Sequence, residues 1–337
     1  MLKINIGDYF CCYIPSVYAK NFVLLRFVRL NDYIVMINRV LIRLKVVQVM
    51  YAYYQGGEKK LASAERELSD SVNSAYSLYH TLLYLLVALR RYSQKQITRK
   101  QKMDIRVPRK EMIFAENKLL SQLEINESLI AYIGSEDMSW ITDFVKGLYE
   151  QIIDSEELEE YYQEDVFDYE ADRHLCRKLY KNYIENNDQL DEVLEQANIY
   201  WNGDKNLIDS FIQKTLKSFQ EQNGAEQQLL QAFKDEDSRE FAMELLRNSI
   251  EMEERVRSIV SLHCNRWDPS RLAFMDVLIL QAAFAEMMVF PAIPLKVTIN
   301  EYVEMTKYLS TPGSASFVNG MLDTISKELI NSGELKK

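Results

Sequence analysis

Residues 267–287 read WDPSRLAFMDVLILQAAFAEM. Asp268 suits an N-cap, and Pro269 suits the first helical position, where a missing N–H costs nothing. Leu278, Ile279, Ala282 and Ala283 then recur at helical spacing and join Trp267 in a core-facing stripe, so the stretch predicts a helix. Towards the C-terminus, Ile293 and Pro294 restart the chain for a helix through Lys307. Thr311, Pro312, Gly313 and Ser314 break it, and a last helix carries Phe317, Leu322 and Ile325. Upstream, Phe241, Leu245, Leu246, Ile250 and Val256 place one more helix from about Asp237.

The N-terminal part follows the same period. In residues 36–55, MINRVLIRLKVVQVMYAYYQ, the residues Ile37, Val40, Leu41, Leu44, Val47, Met50, Tyr51 and Tyr54 form an amphipathic stripe, and Gly56 with Gly57 ends it. A second long helix from about Leu61 carries Leu68, Val72, Ala75, Tyr79 and Leu83 and should pack antiparallel to the first. The middle holds three more helical patterns, through Trp140, Phe144, Leu148 and Ile152, through Leu190, Val193, Leu194 and Ala197, and through Leu207, Phe211, Ile212 and Leu216. Asn202, Gly203 and Asp204 mark a turn between the last two.

Composition agrees with an all-α chain. Of 337 residues only ten are Gly and six Pro, too few turn formers for a sandwich or barrel of many short strands, and 47% hydrophobic content excludes wholesale disorder. Four cysteines without framework spacing fit reduced thiols. The apolar run ending in LLYLLVAL at Leu89 is too short for the roughly 20 residues of a membrane span. Residues 1–35 show no cleavage site after their apolar stretch, so the cytoplasm is the expected compartment.

Formal net charge is −10, yet charge is unevenly spread. Arg39, Arg43 and Lys45 meet no acid between Ile34 and Gly57, so the first helix is locally cationic, and phosphate responds to charge within a Debye length of about 10 Å. Gln48 and Tyr51 follow, types that hydrogen-bond and stack on unpaired bases. Between Arg90 and Lys110 nine basic residues and one acid, Asp104, surround Pro108 and read as a basic hinge or linker. Eleven acids between Glu150 and Asp172 surround four aromatic residues and read as a solvated face.

Catalytic signatures are missing from the sequence. No glycine stands in a dinucleotide loop or P-loop pattern, and no nucleophile elbow exists. His174 with Cys176, and His263 with Cys264, are too close along a helix to converge on one metal ion. Neither a metal nor a cofactor is expected.

The last hundred residues resemble the NusB family of bacterial transcription antitermination factors. The resemblance rests on WDPSRLAFMDVLILQAAFAEM, IPLKVTINEYVEMTKYLS and SFVNGMLDTI, with Arg271, Asp276, Glu286, Pro294, Asn300, Glu301, Phe317, Asn319, Gly320 and Asp323 among the matching positions. The family's first helix carries arginines and then a Gln and a Tyr three residues apart, matched here by Arg39, Arg43, Gln48 and Tyr51. Val40 and Leu41 stand where compact members carry more cations, and Gln281 replaces a frequent Arg.

This resemblance implies a non-enzymatic, all-helical bundle that pairs with ribosomal protein NusE, binds boxA-like single-stranded RNA and acts within an RNA polymerase antitermination complex on ribosomal RNA operons. It implies RNA contacts by Arg39, Arg43, Gln48 and Tyr51, with Lys45 a neighbour outside the family pattern, and by an exposed Phe317. Asp276 falls at the acidic position presented to NusE. Gly320, inside a helix, should mark the close approach of a neighbouring helix, with Asn300 and Asn319 in buried capping or inter-helix hydrogen bonds. The organisation implied is a non-native extension over 1–35, NusB-like N-terminal helices over 36–93, a basic linker and helical insertion over 94–236, and a C-terminal helical domain over 237–334. The basic segment is expected to supplement the thin arginine motif.

Two other readings stay open. NusB-like domains also occur fused to RNA cytosine methyltransferases, although no cofactor-binding domain follows before Lys337. A helical interaction module that has lost RNA binding would use the acidic aromatic stretch.

Overall fold

In the computed structural model the residues described are 30–56, 60–134, 136–163, 167–198, 200–201, 203–230, 236–263 and 273–335, and the first helix has its side chains described from Arg39 onward. Every regular element among them is helical. α1 (Leu30–Gln55) and α2 (Leu61–Lys102) form a hairpin, as the two apolar stripes predict. α1 begins before Met36, where the sequence pattern starts it. It is also more enclosed than one amphipathic stripe requires: from Leu41 to Met50 every residue but Gln48 is buried. The cause is packing on several sides, because α2, α11 (Glu236–Glu251) and α13 (Phe274–Val289) all lie against α1.

α2 is the spine. Its 42 residues extend about 63 Å. By length and composition alone an 18-residue window of it is apolar enough to cross a membrane, but 67% of that window is buried inside the fold. The linker expected from residue 94 is instead the last turns of this helix, since nothing between Gln94 and Lys102 breaks it. Pro108 starts the next helix rather than ending this one, because a proline without an N–H is tolerated at a helix start.

The middle of the chain is a series of shorter helices, α3 (Arg109–Ala115), α4 (Lys118–Glu124), α5 (Glu127–Ile133), α6 (Thr142–Ile153), α7 (Glu156–Tyr162), α8 (Tyr169–Tyr183), α9 (Asp188–Ala197) and α10 (Lys205–Ser218). Side-chain oxygens start many of them: Asn117, Asn126, Ser155, Asp168 and Asn187 each accept the backbone N–H three residues on. Asn126 also donates to the carbonyl of Gln227 at 2.7 Å, which pins α5 to the segment after α10. α3, α4, α5, α6 and α10 pack directly on α2, and their apolar residues are continuous with the core of the rest of the chain.

The C-terminal bundle comprises α11, α12 (Glu253–His263), α13, α14 (Leu295–Leu309) and α15 (Ser314–Asn331). The single helix expected through Val256 is two, divided at Met252. The helix opening expected at Asp268 and Pro269, together with Trp267, Arg271, Cys264 and the cysteines of the first segment, lies outside the described residues. α13 packs against α11, α14 and α15, and eleven of its sixteen residues are buried.

Candidate nucleic-acid interface

The cations of α1 were expected to meet phosphate, and the structure turns two of them inward. Arg43 is buried and forks onto Glu286 of α13, with Nε donating at 2.6 Å and Nη2 at 3.0 Å. Thr298 and Tyr302, one helical turn apart on α14, donate to the same carboxylate at 2.8 and 3.3 Å. Glu286 therefore takes four hydrogen bonds and is fully enclosed. Burial disfavours the charge of Arg43, but Glu286 outweighs it and holds the guanidinium above its ordinary pKa. Glu301, 3.8 Å from Arg43 Nη1, is pushed up by burial against the attraction of that same arginine.

Lys45 is likewise buried and donates to Asp204, at the start of α10. Here burial prevails in both partners, lowering the lysine and raising the aspartate. Gln48 Nε2 makes a long contact of 3.5 Å to the other oxygen of Asp204. RNA contact by Arg43 and Lys45 is thus corrected to a structural role, because each would have to leave a buried carboxylate to reach solvent. The sequence reading missed both acids, Glu286 and Asp204, as partners. The available signal was a lone charge in an apolar run: Glu286 stands among Ala282, Ala283, Ala285 and Met287, and Arg43 and Lys45 among Leu41, Ile42, Leu44, Val46 and Val47.

What α1 leaves at the surface is mainly aromatic. Arg39 is half-buried and, like Arg43, lies over the Phe241 ring, at 5.2 Å. Tyr51 is 41% exposed and packs one edge on Phe274, with ring centroids 5.8 Å apart. Tyr54 meets Phe274 edge-on and accepts a hydrogen bond from Gln281 Nε2 at 2.7 Å. Burial carries the Tyr54 hydroxyl up to about 12, so it stays a neutral phenol at physiological pH. Gln281, which stands where a cation was expected, also donates to the carbonyl of Ser249 and is a structural tie.

The C-terminal candidates divide differently. Phe317 is half-buried against the core rather than exposed as expected, and α15 packs chiefly on α14, α13 and α12 rather than beside α1. Asp276 is buried, accepting from Ser310 Oγ at 2.5 Å and Ser314 Oγ at 2.9 Å, so in this chain it fastens the loop between α14 and α15 instead of facing a partner. Asn300 and Asn319 are exposed, which corrects their expected burial. Gly320 is exposed too, and a Cβ there would meet nothing within 4 Å, so no neighbouring helix explains it.

Among the described residues no group of three or more His, Cys, Asp or Glu could hold a metal. Cys176 is fully enclosed, and burial keeps its thiol protonated while it donates to Asn117 Oδ1 at 3.4 Å.

Comparison with known proteins identifies the surroundings of this surface. A family model described as the NusB family matches residues 202–327, beginning at the turn before α10 and ahead of the boundary at 237 that the sequence suggested. Transcription antitermination protein NusB of Salinibacter ruber is 33% identical over 132 residues, covering 37% of this chain and 82% of that protein. The protein of the same name from Thermodesulfovibrio yellowstonii is 36% identical over 121 residues, 36% of this chain and 76% of the relative. That of Koribacter versatilis is 37% identical over 95 residues, 28% of this chain and 65% of the relative. No solved structure matches. With four fifths of a curated relative spanned at that identity, and with Glu286 of the matched region holding the arginine helix in place, the chain belongs to the NusB family.

Proposed function

We propose that this protein is a non-enzymatic, RNA-binding transcription antitermination factor that pairs with ribosomal protein NusE on boxA-like nascent RNA and supports ribosomal RNA transcription in the cytoplasm. The observation that carries the reading is the extended likeness to proteins named for antitermination. The RNA surface of this reading consists of the candidates that keep some solvent exposure, Tyr51 for stacking, Gln48 for edge contacts and Arg39 for phosphate, with Phe317 as a separate aromatic on α15. Asn300, Asn319 and Gly320 are free of packing duties among the described residues, which leaves them available to NusE or RNA.

Burial of Arg43 and Lys45 favours one second reading, a protein-interaction module without RNA affinity. Titration of a fluorescent boxA-like RNA, with and without the cognate NusE, separates the two. The antitermination factor binds RNA more tightly with NusE present and loses affinity on Tyr51→Ala with its fold intact. Binding of NusE with no RNA affinity would leave the module.

A further inference from the structure

Of the nine cations between Arg90 and Lys110, four are already engaged. Arg90 and Arg91 hold Glu124, Lys100 holds Glu111 at 2.6 Å, and Lys110 approaches Asp154 at 3.5 Å. The other five, Lys95, Arg99, Lys102, Arg106 and Arg109, are exposed and form no ion pair with any described residue. Lys95, Arg99 and Lys102 follow one another at i, i+4 and i+7, a strip of about 10 Å along one face of α2.

The chain then folds back over the helix end. Ile105 N–H bonds the carbonyl of Lys100 at 2.9 Å and Asp104 N–H that of Gln101 at 3.1 Å, the two bonds of a Schellman closure, with Asp104 left-handed at φ 57°. This closure turns the chain into α3, which begins at Arg109 and packs on α2, so Arg106 and Arg109 stay at the same end of the helix as the strip. Met103 and Ile105, 58% and 51% exposed, form an apolar tip among the cations.

The helix dipole accounts for Arg99 and Lys102 in the last turn, but it falls off too fast to account for Lys95, and it does not apply to Arg106 and Arg109 beyond the helix. Glu124, Glu111 and Asp154, on the helices packed nearby, face the other four cations, and no described acid forms an ion pair with these five. In a chain of net charge −10, five cations without an ion pair against the single acid of the segment, Asp104, are a local reversal of field that concentrates a polyanion.

We infer that the tip of α2 is a second RNA-binding surface, one that tracks phosphates of single-stranded RNA without reading bases. It rests on the RNA-binding reading above and places most of the electrostatic affinity away from α1. Its test uses the full chain with labelled poly(U) and labelled boxA-like RNA across a salt series. Lys95→Gln/Arg99→Gln/Lys102→Gln should flatten the salt slope by about 2, at roughly 0.7 for each phosphate no longer neutralised. Between about 50 and 200 mM salt the wild type then loses roughly 15-fold more affinity than the variant, for both RNAs alike. Arg106→Gln/Arg109→Gln, which leaves α2 untouched, should flatten it in the same direction. If the wild type binds RNA and both variants keep its affinity and slope, the tip does not touch the RNA, and the antitermination reading survives. If the wild type binds neither RNA, with or without NusE, that reading fails and the tip surface fails with it.

Discussion

Arg43 shows how one residue type supports two opposite readings. Removing it leaves Glu286 buried with its charge uncompensated, a change that costs about 3–5 kcal/mol. Arg43→Met should lower stability by that amount in urea unfolding, and adding Glu286→Leu should recover most of the deficit. Retention of wild-type stability by Arg43→Met alone would show that the pair is not the tie described. It also follows that weakened RNA binding in an Arg43 variant reports unfolding rather than a missing phosphate ligand. From the sequence, an arginine helix without acids looks like a phosphate surface, since Glu286 lies 243 positions away. Gly320 misleads in the opposite direction, because a glycine inside a helix suggests close packing where the structure has empty space. Periodicity identifies the buried face of a helix, but it does not say which charged side chains a distant acid draws inward.

Among the elements, α2 was half legible. Its apolar stripe through Leu68, Val72, Tyr79 and Leu83 matches the buried face, while its last turns were hidden by their charge, because cations and a nearby proline resemble a linker. Helix persists there because Arg90, Arg91 and Lys100 are neutralised by Glu124 and Glu111 of the helices that pack on it. Its closure is strained at one point. Asp104 is the one non-glycine residue with positive φ among those described, and its carboxylate sits at the negative end of the helix dipole. Asp104→Gly relieves both and should raise stability by up to about 1 kcal/mol, seen as a higher Tm. A lower Tm would mean that the carboxylate has a stabilising partner.

At the scale of the whole molecule the all-α class followed from glycine and proline scarcity and from helical period. The fusion of the middle region with the rest did not, because division of a core is set by packing that period does not encode. α3, α4, α5, α6 and α10 all pack on α2, and Trp201 Nε1 donates to the carbonyl of Ser74 at 3.0 Å. A shared core of this kind should unfold as one unit, so tryptophan fluorescence, which includes Trp140 and Trp201, should give the same urea midpoint as far-UV circular dichroism. Two separated midpoints would mean that the middle region is a domain of its own.

The enclosure of α1 bears finally on how the protein is made. Arg43 leaves the ribosome 243 residues before Glu286, a delay of roughly 10–50 s at about 5–20 residues per second. Lys45 waits 159 residues for Asp204. Over those intervals a helix destined for the interior holds two cations whose buried partners do not yet exist, so the nascent hairpin of α1 and α2 depends on whatever shields it until synthesis is nearly complete.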